Sequence, residues 1–238
     1  MNPAPVAVAR NISIVMAGNL NEYIDHTILK PTTLLAEIEQ LCKEAINYQF
    51  AAVCIPPVFV KKAKEFLDTP DVKVATVIGF PFGYSAIEAK VAEIVLAVLD
   101  GADELDVVIN LAALKNNDWQ FLANEINTIM PIVSSRNKVI KIIIESGVLT
   151  GEEIIRCCDI YGAAGVHFLK TSTGYAEKGA SIEAVKLIRN HLNDQIKIKA
   201  SGGISDYCFA RELIAAGADR LGCSKSIRVM DQWNAIGS

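Results

Sequence analysis

The stretch Leu99–Val107, LDGADELDV, ends a helical pattern of apolar residues at Gly101 and then begins a strand pattern. Glycine at the C-terminus of a helix adopts the left-handed conformation at little cost, so the chain can turn directly into a strand. The same arrangement recurs at Ile160–Phe168, IYGAAGVHF, and at Ile214–Gly222, IAAGADRLG. These helix–glycine–strand units predict repeated right-handed crossovers between parallel strands.

Short apolar runs alternate with amphipathic helical patterns along the rest of the chain. The sequence predicts eight strands, at Tyr23–Leu29, Ala51–Ile55, Lys73–Ile78, Glu104–Ile109, Val139–Glu145, Val166–Lys170, Ile196–Ala200 and Arg220–Cys223. Eight strand–helix repeats in 238 residues favour an α/β fold, the (β/α)8 TIM barrel. An open doubly wound sheet has the same local pattern, but no GxGxxG follows the first strand. We expect one catalytic domain, residues 22–238, after an N-terminal extension of residues 1–21.

The composition argues against several classes of partner. The net charge is −4 and no Lys/Arg block is present, so we expect no nucleic-acid partner. No apolar run is long enough for a membrane span, and we expect no membrane partner. The six cysteines and three histidines show no metal-ligand spacing. We interpret the cysteines as reduced and the protein as cytoplasmic.

Three charged residues interrupt the apolar strand patterns. Asp106 lies in ELDVVIN, Lys170 in GVHFLKTSTG and Lys199 in IKIKASGGI. Burying a lysine disfavours its charged form, and a second ammonium nearby lowers its basicity further. A lysine that is neutral at physiological pH is a nucleophile towards carbonyl carbons. The pattern therefore indicates a Schiff-base enzyme with Lys170, beside a polar turn, as the nucleophile.

Other polar residues share the strand faces of this group. Asp25 in the first strand could add a second carboxylate. Lys141 and Lys197 are interpreted as solvated strand-end charges or members of structural ion pairs. Cys54 ends the second strand, where a small buried apolar side chain is the favoured interpretation over a nucleophile.

Polar turns follow the last three strands. Their sequences are Thr171-Ser172-Thr173-Gly174, Ala200-Ser201-Gly202-Gly203 and Gly222-Cys223-Ser224-Lys225. Backbone N–H groups and hydroxyls in such turns can hold a phosphate, and barrels often bind phosphate after strands seven and eight. The turns therefore predict a phosphorylated substrate.

At these residues the chain resembles deoxyribose-phosphate aldolases. The matching segments, between about Tyr23 and Ser226, are YIDHTILKP, AAVCIPP, VATVIGFPFG, EAKVAEIVLAVLDGADELDVVINLAALKNNDW, KVIKIIIESGVLT, GVHFLKTSTG, KASGGI and RLGCS. The resemblance implies a class I aldolase of deoxyribose catabolism that reversibly cleaves 2-deoxy-D-ribose 5-phosphate to D-glyceraldehyde 3-phosphate and acetaldehyde. It also implies no metal, no organic cofactor, and a homodimer or higher homo-oligomer.

The resemblance assigns roles by position. Lys170 matches the Schiff-base lysine, Asp106 the carboxylate of proton transfer and Lys199 the lysine that tunes the nucleophile. The positions matching substrate and phosphate contacts are Asp25, Thr27, Cys54, Thr171, Gly174, Gly202, Gly203, Gly222 and Ser224. The chain departs from the family at Ser205 and Tyr175, where many or some members have Arg and Lys. We hypothesise that Lys225 replaces the lost positive charge.

Three other functions fit part of the pattern. Another class I aldolase or a transaldolase would share the lysine but accept a ketone donor. A phosphate-binding barrel isomerase would share the turns and form no imine. A non-catalytic protein could keep the fold alone, although the joint presence of Asp106, Lys170 and Lys199 argues against that function.

Overall fold

The computed structural model describes residues 19–237, and in them eight parallel strands close into a barrel in sequence order. The strands are β1 Ile24–Thr27, β2 Ala52–Ile55, β3 Lys73–Ile78, β4 Glu104–Val108, β5 Val139–Ile143, β6 Phe168–Lys170, β7 Lys197–Ser201 and β8 Arg220–Cys223. Strand β1 pairs with both β2 and β8, which closes the sheet. The predicted (β/α)8 TIM barrel is confirmed.

Helices surround the barrel. They are α1 Leu35–Tyr48, α2 Val60–Phe66, α3 Ile87–Leu99, α4 Leu111–Lys115, α5 Trp119–Ser135, α6 Gly151–Ala163, α7 Ile182–His191, α8 Tyr207–Ala215 and α9 Ser226–Gly237. Short 3-10 helices occupy Leu20–Tyr23, Pro57–Phe59 and Ser146–Val148. No helix within residues 19–237 has the length and apolar character to cross a membrane.

The three glycines of the repeated units turn the chain as predicted. Gly101, Gly165 and Gly217 follow α3, α6 and α8 with φ of 106°, 68° and 115°. A side chain at such a φ would be strained, and glycine avoids that strain. Each crossover can therefore pass from helix to strand within a few residues, which brings the strands into one closed sheet.

Side chains of the strands alternate between two environments. Outward residues such as Leu105, Leu169 and Ile198 are fully buried against the helices in the large apolar core. Inward residues on β2 and β3 form a separate small cluster of Ala52, Cys54, Ala75 and Val77. The inward faces of β1 and β4–β8 carry charged residues instead, and the barrel interior is therefore apolar on one side and ionic on the other.

The structure differs from the predicted elements at their ends. The first, second, fourth, fifth and sixth strands are shorter than predicted, and the seventh is shifted by one residue. Glu145, beyond β5, adopts a left-handed φ of 54°. The helices α4 and α9 were not predicted, because α4 is short and α9 follows the strand repeat. Leu20 and Asn21 pack on the barrel, while residues 1–18 of the predicted extension lie outside the described residues.

Candidate active site

The strand register brings the charged inward residues together. Asp106 of β4 pairs with Lys141 of β5, and Lys170 of β6 pairs with Lys199 of β7. Lys199 pairs in turn with Arg220 of β8. These five side chains come from five adjacent strands and point into the same interior, where three of them are fully buried.

Asp106 is the centre of the ion network. Its Oδ2 lies 2.7 Å from Nζ of Lys170 and 2.7 Å from Nζ of Lys199, and its Oδ1 lies 2.9 Å from Nζ of Lys141. The two lysines predicted from sequence thus share one oxygen of the predicted carboxylate. A shared carboxylate oxygen provides a route by which a proton can pass between the two amines.

Asp25 forms a second centre on the opposite side of Lys199. Its Oδ2 lies 2.5 Å from Nζ of Lys199, and its Oδ1 lies 2.6 Å from Nη1 of Arg220. Glu104, at the start of β4, contacts Lys141 and lies 3.7 Å from Arg220. These carboxylates compensate cations that could not otherwise be buried.

The pKa values of Lys170 and Lys199 shift in opposite directions. Burial lowers the pKa of Lys170, Asp106 opposes that effect, and the like charge of Lys199 lowers the pKa further. Burial also works against the charged form of Lys199, but Asp106 and Asp25 together raise its pKa. The sequence predicted both causes, burial and the like charge of Lys199, and burial is the larger of the two. These directions favour the neutral form of Lys170 and the charged form of Lys199.

The charge balance of the network agrees with this assignment. In the part of the chain that the structure describes, four cationic side chains (Lys141, Lys170, Lys199 and Arg220) meet three carboxylates (Asp25, Glu104 and Asp106) in these ion pairs. A net charge is costly in a low-dielectric interior. The network is neutral when one cation is deprotonated. Among the three lysines the pKa of Lys170 alone is lowered.

The sequence interpretation of Lys141 is resolved towards a structural ion pair. Lys141 has no exposed surface and contacts Asp106, Glu104 and Asp25. These carboxylates raise its pKa against the opposing effect of burial. Lys197, at the other end of the same strand face as Lys199, is exposed. The sequence analysis did not identify Arg220 as a site residue. Its position two residues before Gly222 in β8 places both on the same, inward face, and this spacing could have identified it.

A cavity of about 730 Å³, the polar cavity hereafter, opens at the carboxyl ends of the strands. Seven of the predicted binding residues line it, namely Thr27, Gly174, Gly202, Gly203, Gly222, Ser224 and Lys225. Lys30 also lines it, with its Nζ 3.7 Å from Glu37. Lys30 lies in the YIDHTILKP segment but received no role from sequence. The polar turns therefore converge, and the cavity lining carries both positive charge, from Lys30 and Lys225, and negative charge, from Glu37 and Glu44.

Several predicted residues lie deeper than the polar cavity. Asp25, Cys54 and Thr171 are fully buried and do not line it. Lys170 is 2% exposed and lies three residues before Thr173, which does line the cavity. Cys54 places its Sγ 3.9 Å from Oδ2 of Asp106, and burial raises the pKa of its thiol. Cys54 is thus a protonated packing neighbour of the network.

Residue 222 must be glycine because the side chains of Ser201 and Lys199 pass close to its Cα. A Cβ at this position would lie 2.8 Å from Cβ of Ser201 and 3.1 Å from Cε of Lys199. The missing side chain leaves the space through which the Lys199 chain reaches Asp25. The glycine therefore serves the position of the second lysine as well as the turn that follows β8.

The turn after Lys170 is held by a buried carboxylate. Both Oε atoms of Glu145 accept the backbone N–H of Thr173 at 3.2 Å, and Oε2 also accepts its hydroxyl. Burial raises the pKa of Glu145, partly offset by these bonds to Thr173. The sequence predicted Glu145 only as the last residue of the fifth strand, with no partner. Its left-handed backbone is what directs the carboxylate towards the turn.

A histidine that sequence reasoning left without a role links two elements of the polar cavity. His26 on β1 lies with Nε2 2.8 Å from Oε2 of Glu44 and Nδ1 3.1 Å from Oγ of Ser226. Ser226 begins α9 directly after Lys225. His26 thereby ties α1 to the turn after β8. Its spacing from Ser226, 200 residues, is the reason that no local pattern shows this contact.

Within residues 19–237, no group of three or more His, Cys, Asp or Glu side chains is arranged to hold a metal ion. The described site contains amines, carboxylates, hydroxyls and backbone N–H groups. Those groups can form an imine, move protons and bind an anion.

Known proteins share this architecture. A family model described as "DeoC/LacD family aldolase" matches residues 20–224. A deoxyribose-phosphate aldolase from Caldanaerobacter subterraneus is 44% identical over 220 residues, covering 92% of this chain and 95% of that protein. The solved structure "QR15, an Aldolase" has a TM-score of 0.86 at 40% identity, over 92% of this chain and 97% of that one. The deoxyribose phosphate aldolase of Aeropyrum pernix, described as a unique tetrameric structure, has a TM-score of 0.85 at 30% identity, over 91% and 92%.

Proposed function

The chain belongs to the DeoC/LacD aldolase family, and we propose that it cleaves 2-deoxy-D-ribose 5-phosphate reversibly to D-glyceraldehyde 3-phosphate and acetaldehyde. The observation that supports this reaction most directly is the Lys170–Asp106–Lys199 arrangement, with both amines 2.7 Å from one carboxylate oxygen. The proposed role in deoxyribose catabolism follows from the same substrate, and the proposed cytoplasmic location is supported by the free cysteines.

Lys170 is the proposed nucleophile. Its neutral amine attacks C1 of the aldehyde form, and loss of water from the addition product gives an iminium ion. Burial favours the neutral amine that this step needs. The hydrogen bond from Nζ of Lys170 to Asp106 orients the nitrogen, so that its lone pair faces the incoming carbonyl rather than the carboxylate.

Cleavage breaks the C2–C3 bond. A base removes the proton of the C3 hydroxyl, C3 becomes the aldehyde carbon of the departing product, and the electron pair of the broken bond enters the iminium to give an enamine. Protonation at C2 and hydrolysis then release acetaldehyde and regenerate Lys170. Asp106, helped by Lys199, is the proposed proton relay to and from the substrate through a water molecule.

The phosphate is proposed to bind in the polar cavity, at the turns after β6, β7 and β8. Gly174, Gly202 and Gly203 have positive φ, which keeps these turns compact and free of side chains. Backbone N–H groups, the Ser224 hydroxyl and the Lys225 ammonium are suitable phosphate donors. The phosphate end would then lie on the β7–β8 side, with the reacting carbons towards Lys170.

The test of the chemistry is covalent trapping. The protein is incubated with acetaldehyde and sodium borohydride, and its intact mass and peptide map are measured, with Lys170→Met as the control. We expect a stable two-carbon adduct on Lys170 of the wild type, none on the control, and cleavage of deoxyribose 5-phosphate by the wild type alone. A folded wild-type protein without an adduct would overturn the aldolase proposal, and an adduct on Lys199 would reassign the nucleophile.

The same experiment separates the competing functions. Trapping with dihydroxyacetone or pyruvate in preference to acetaldehyde would indicate an aldolase or transaldolase with a ketone donor. A phosphate-binding isomerase would give no adduct with any of the three compounds, because borohydride leaves a compound attached to the protein only when it reduces an imine.

We also propose that residues 22–238 act as one catalytic domain and that the protein forms a homodimer or higher homo-oligomer. The tetrameric Aeropyrum relative, at 30% identity, supports the second proposal. Light scattering during size-exclusion chromatography measures the molar mass. A mass of one chain at micromolar concentration would contradict the oligomer.

A further inference from the structure

Tyr175 joins three loops over the mouth of the barrel. Its hydroxyl donates to the carbonyl of Leu29 at 2.8 Å, and its ring meets Phe80 edge-on at 5.4 Å. Its backbone N–H donates to the hydroxyl of Thr173 at 3.0 Å, and Thr173 is itself held by Glu145. The side chain is thus anchored to the loops after β1, β3 and β6, although 49% of the residue is exposed.

This side chain lies between two cavities. The polar cavity holds the phosphate turns, and a second cavity of about 560 Å³, the apolar cavity hereafter, lies over β2 and β3. Val58, Phe80 and Phe82 are among the residues that line the apolar cavity. Leu29, Lys30 and Tyr175 line both. The hydrogen bond between Tyr175 and Leu29 therefore closes the wall between them.

The apolar cavity reaches the interior of the barrel next to the ion network. Val77, one of its lining residues, pairs in register with Asp106. Val77 also packs with Cys54, whose Sγ is 3.9 Å from Asp106. Lys170 lines neither cavity, and its amine is hydrogen-bonded to Asp106 beneath them. A carbonyl compound attached to Lys170 and extending towards the barrel mouth would meet a polar space on one side of Tyr175 and an apolar space on the other.

We propose that Tyr175 determines substrate specificity: its side chain confines a carbonyl compound on Lys170 to the polar cavity and excludes longer alkyl chains from the apolar cavity. The inference rests on the proposed function, because it needs imine formation at Lys170. Alkyl and aromatic side chains dominate the lining of the apolar cavity. The cavity therefore suits an unbranched aliphatic aldehyde.

The test compares trapping of acetaldehyde and hexanal by borohydride in four proteins. Tyr175→Ala removes the wall, Tyr175→Phe keeps the ring against Phe80 and loses the bond to Leu29, and the wild type is the reference. Tyr84→Ala is the matched control, because Tyr84 is an exposed aromatic residue that stacks on Phe82 and lines neither cavity. Intact mass after a fixed time gives the ratio of hexanal to acetaldehyde adduct.

We expect Tyr175→Ala to raise the hexanal-to-acetaldehyde ratio at least about tenfold, since one methylene accommodated in an apolar pocket has an effect of about that size. Tyr175→Phe should give a smaller increase, and Tyr84→Ala should match the wild type. Equal ratios in Tyr175→Ala and the wild type, with acetaldehyde still trapped, would overturn this inference alone. Loss of acetaldehyde trapping in the wild type would overturn the proposed function and this inference with it.

Discussion

Replacing Lys199 by methionine tests the electrostatic design of the site. The substitution keeps the length of an unbranched chain and removes a positive charge that shares Oδ2 of Asp106 with Lys170. Both amines lie 2.7 Å from that oxygen, so they are at most about 5.4 Å apart. Two unit charges at this separation repel by about 3 kcal/mol at an effective dielectric constant of about 20.

Removing Lys199 should raise the pKa of Lys170. Without Lys199 the charged form of Lys170 is less disfavoured, so the pKa of Lys170 rises and its neutral fraction at a given pH falls. At a pH below the pKa in both proteins, about 3 kcal/mol corresponds to a loss of about 100-fold in that fraction. The rate of imine formation should fall by the same factor and recover as the pH is raised.

The assay is the pH dependence of acetaldehyde trapping and of kcat/KM for deoxyribose 5-phosphate. Lys197→Met is the control, because Lys197 lies on the same strand but is exposed. The Lys199 variant should still fold, since Asp25 keeps its contact with Arg220 at 2.6 Å. A folded Lys199→Met protein whose activity rises with pH at the wild-type position would refute the reasoning.

Three further perturbations test separate parts of the structure. Gly222→Ala places a Cβ 3.1 Å from Cε of Lys199, and we expect lower kcat together with a stability loss of about 1–3 kcal/mol by thermal denaturation; unchanged kcat would show that Lys199 has room to move. Lys225→Ala should raise KM for the phosphorylated substrate about tenfold and leave KM for deoxyribose unchanged, and equal effects on both would remove Lys225 from phosphate binding. Lys90 of α3 and Glu125 of α5 form a buried ion pair at 2.6 Å. Lys90→Met leaves the Glu125 carboxylate buried without its cation, and urea denaturation should show a loss of about 3–5 kcal/mol in the free energy of unfolding. A double variant with Glu125→Leu should recover most of that loss, and a double variant as unstable as the single one would contradict the explanation.

Local sequence patterns were sufficient to predict most of the fold. The alternation of strand residues, the helical spacing of apolar residues and the glycines after α3, α6 and α8 act within a few residues of one another. Periodicity and glycine conformation therefore predicted eight strands in order and the barrel that they form. The helices α4 and α9 were not predicted, because α4 has only five residues and α9 lies outside the repeating unit.

Part of the site was also readable from single residues. A lysine or aspartate within an apolar strand is costly to bury, and that cost singled out Asp106, Lys170 and Lys199 without knowledge of any contact. The turns after the last three strands were visible for a similar reason, because glycine and hydroxyl residues cluster there.

Contacts between distant residues were decided by the tertiary structure alone. The sequence does not show that Arg220 meets Asp25, that His26 meets Ser226, or that Tyr175 bonds to Leu29 and divides the mouth of the barrel. Such contacts depend on how the strands are staggered when the sheet closes, and that stagger is set by packing over the whole barrel. The sequence by itself determined which residues are too polar for their strands, whereas barrel closure determined which partners make their burial possible.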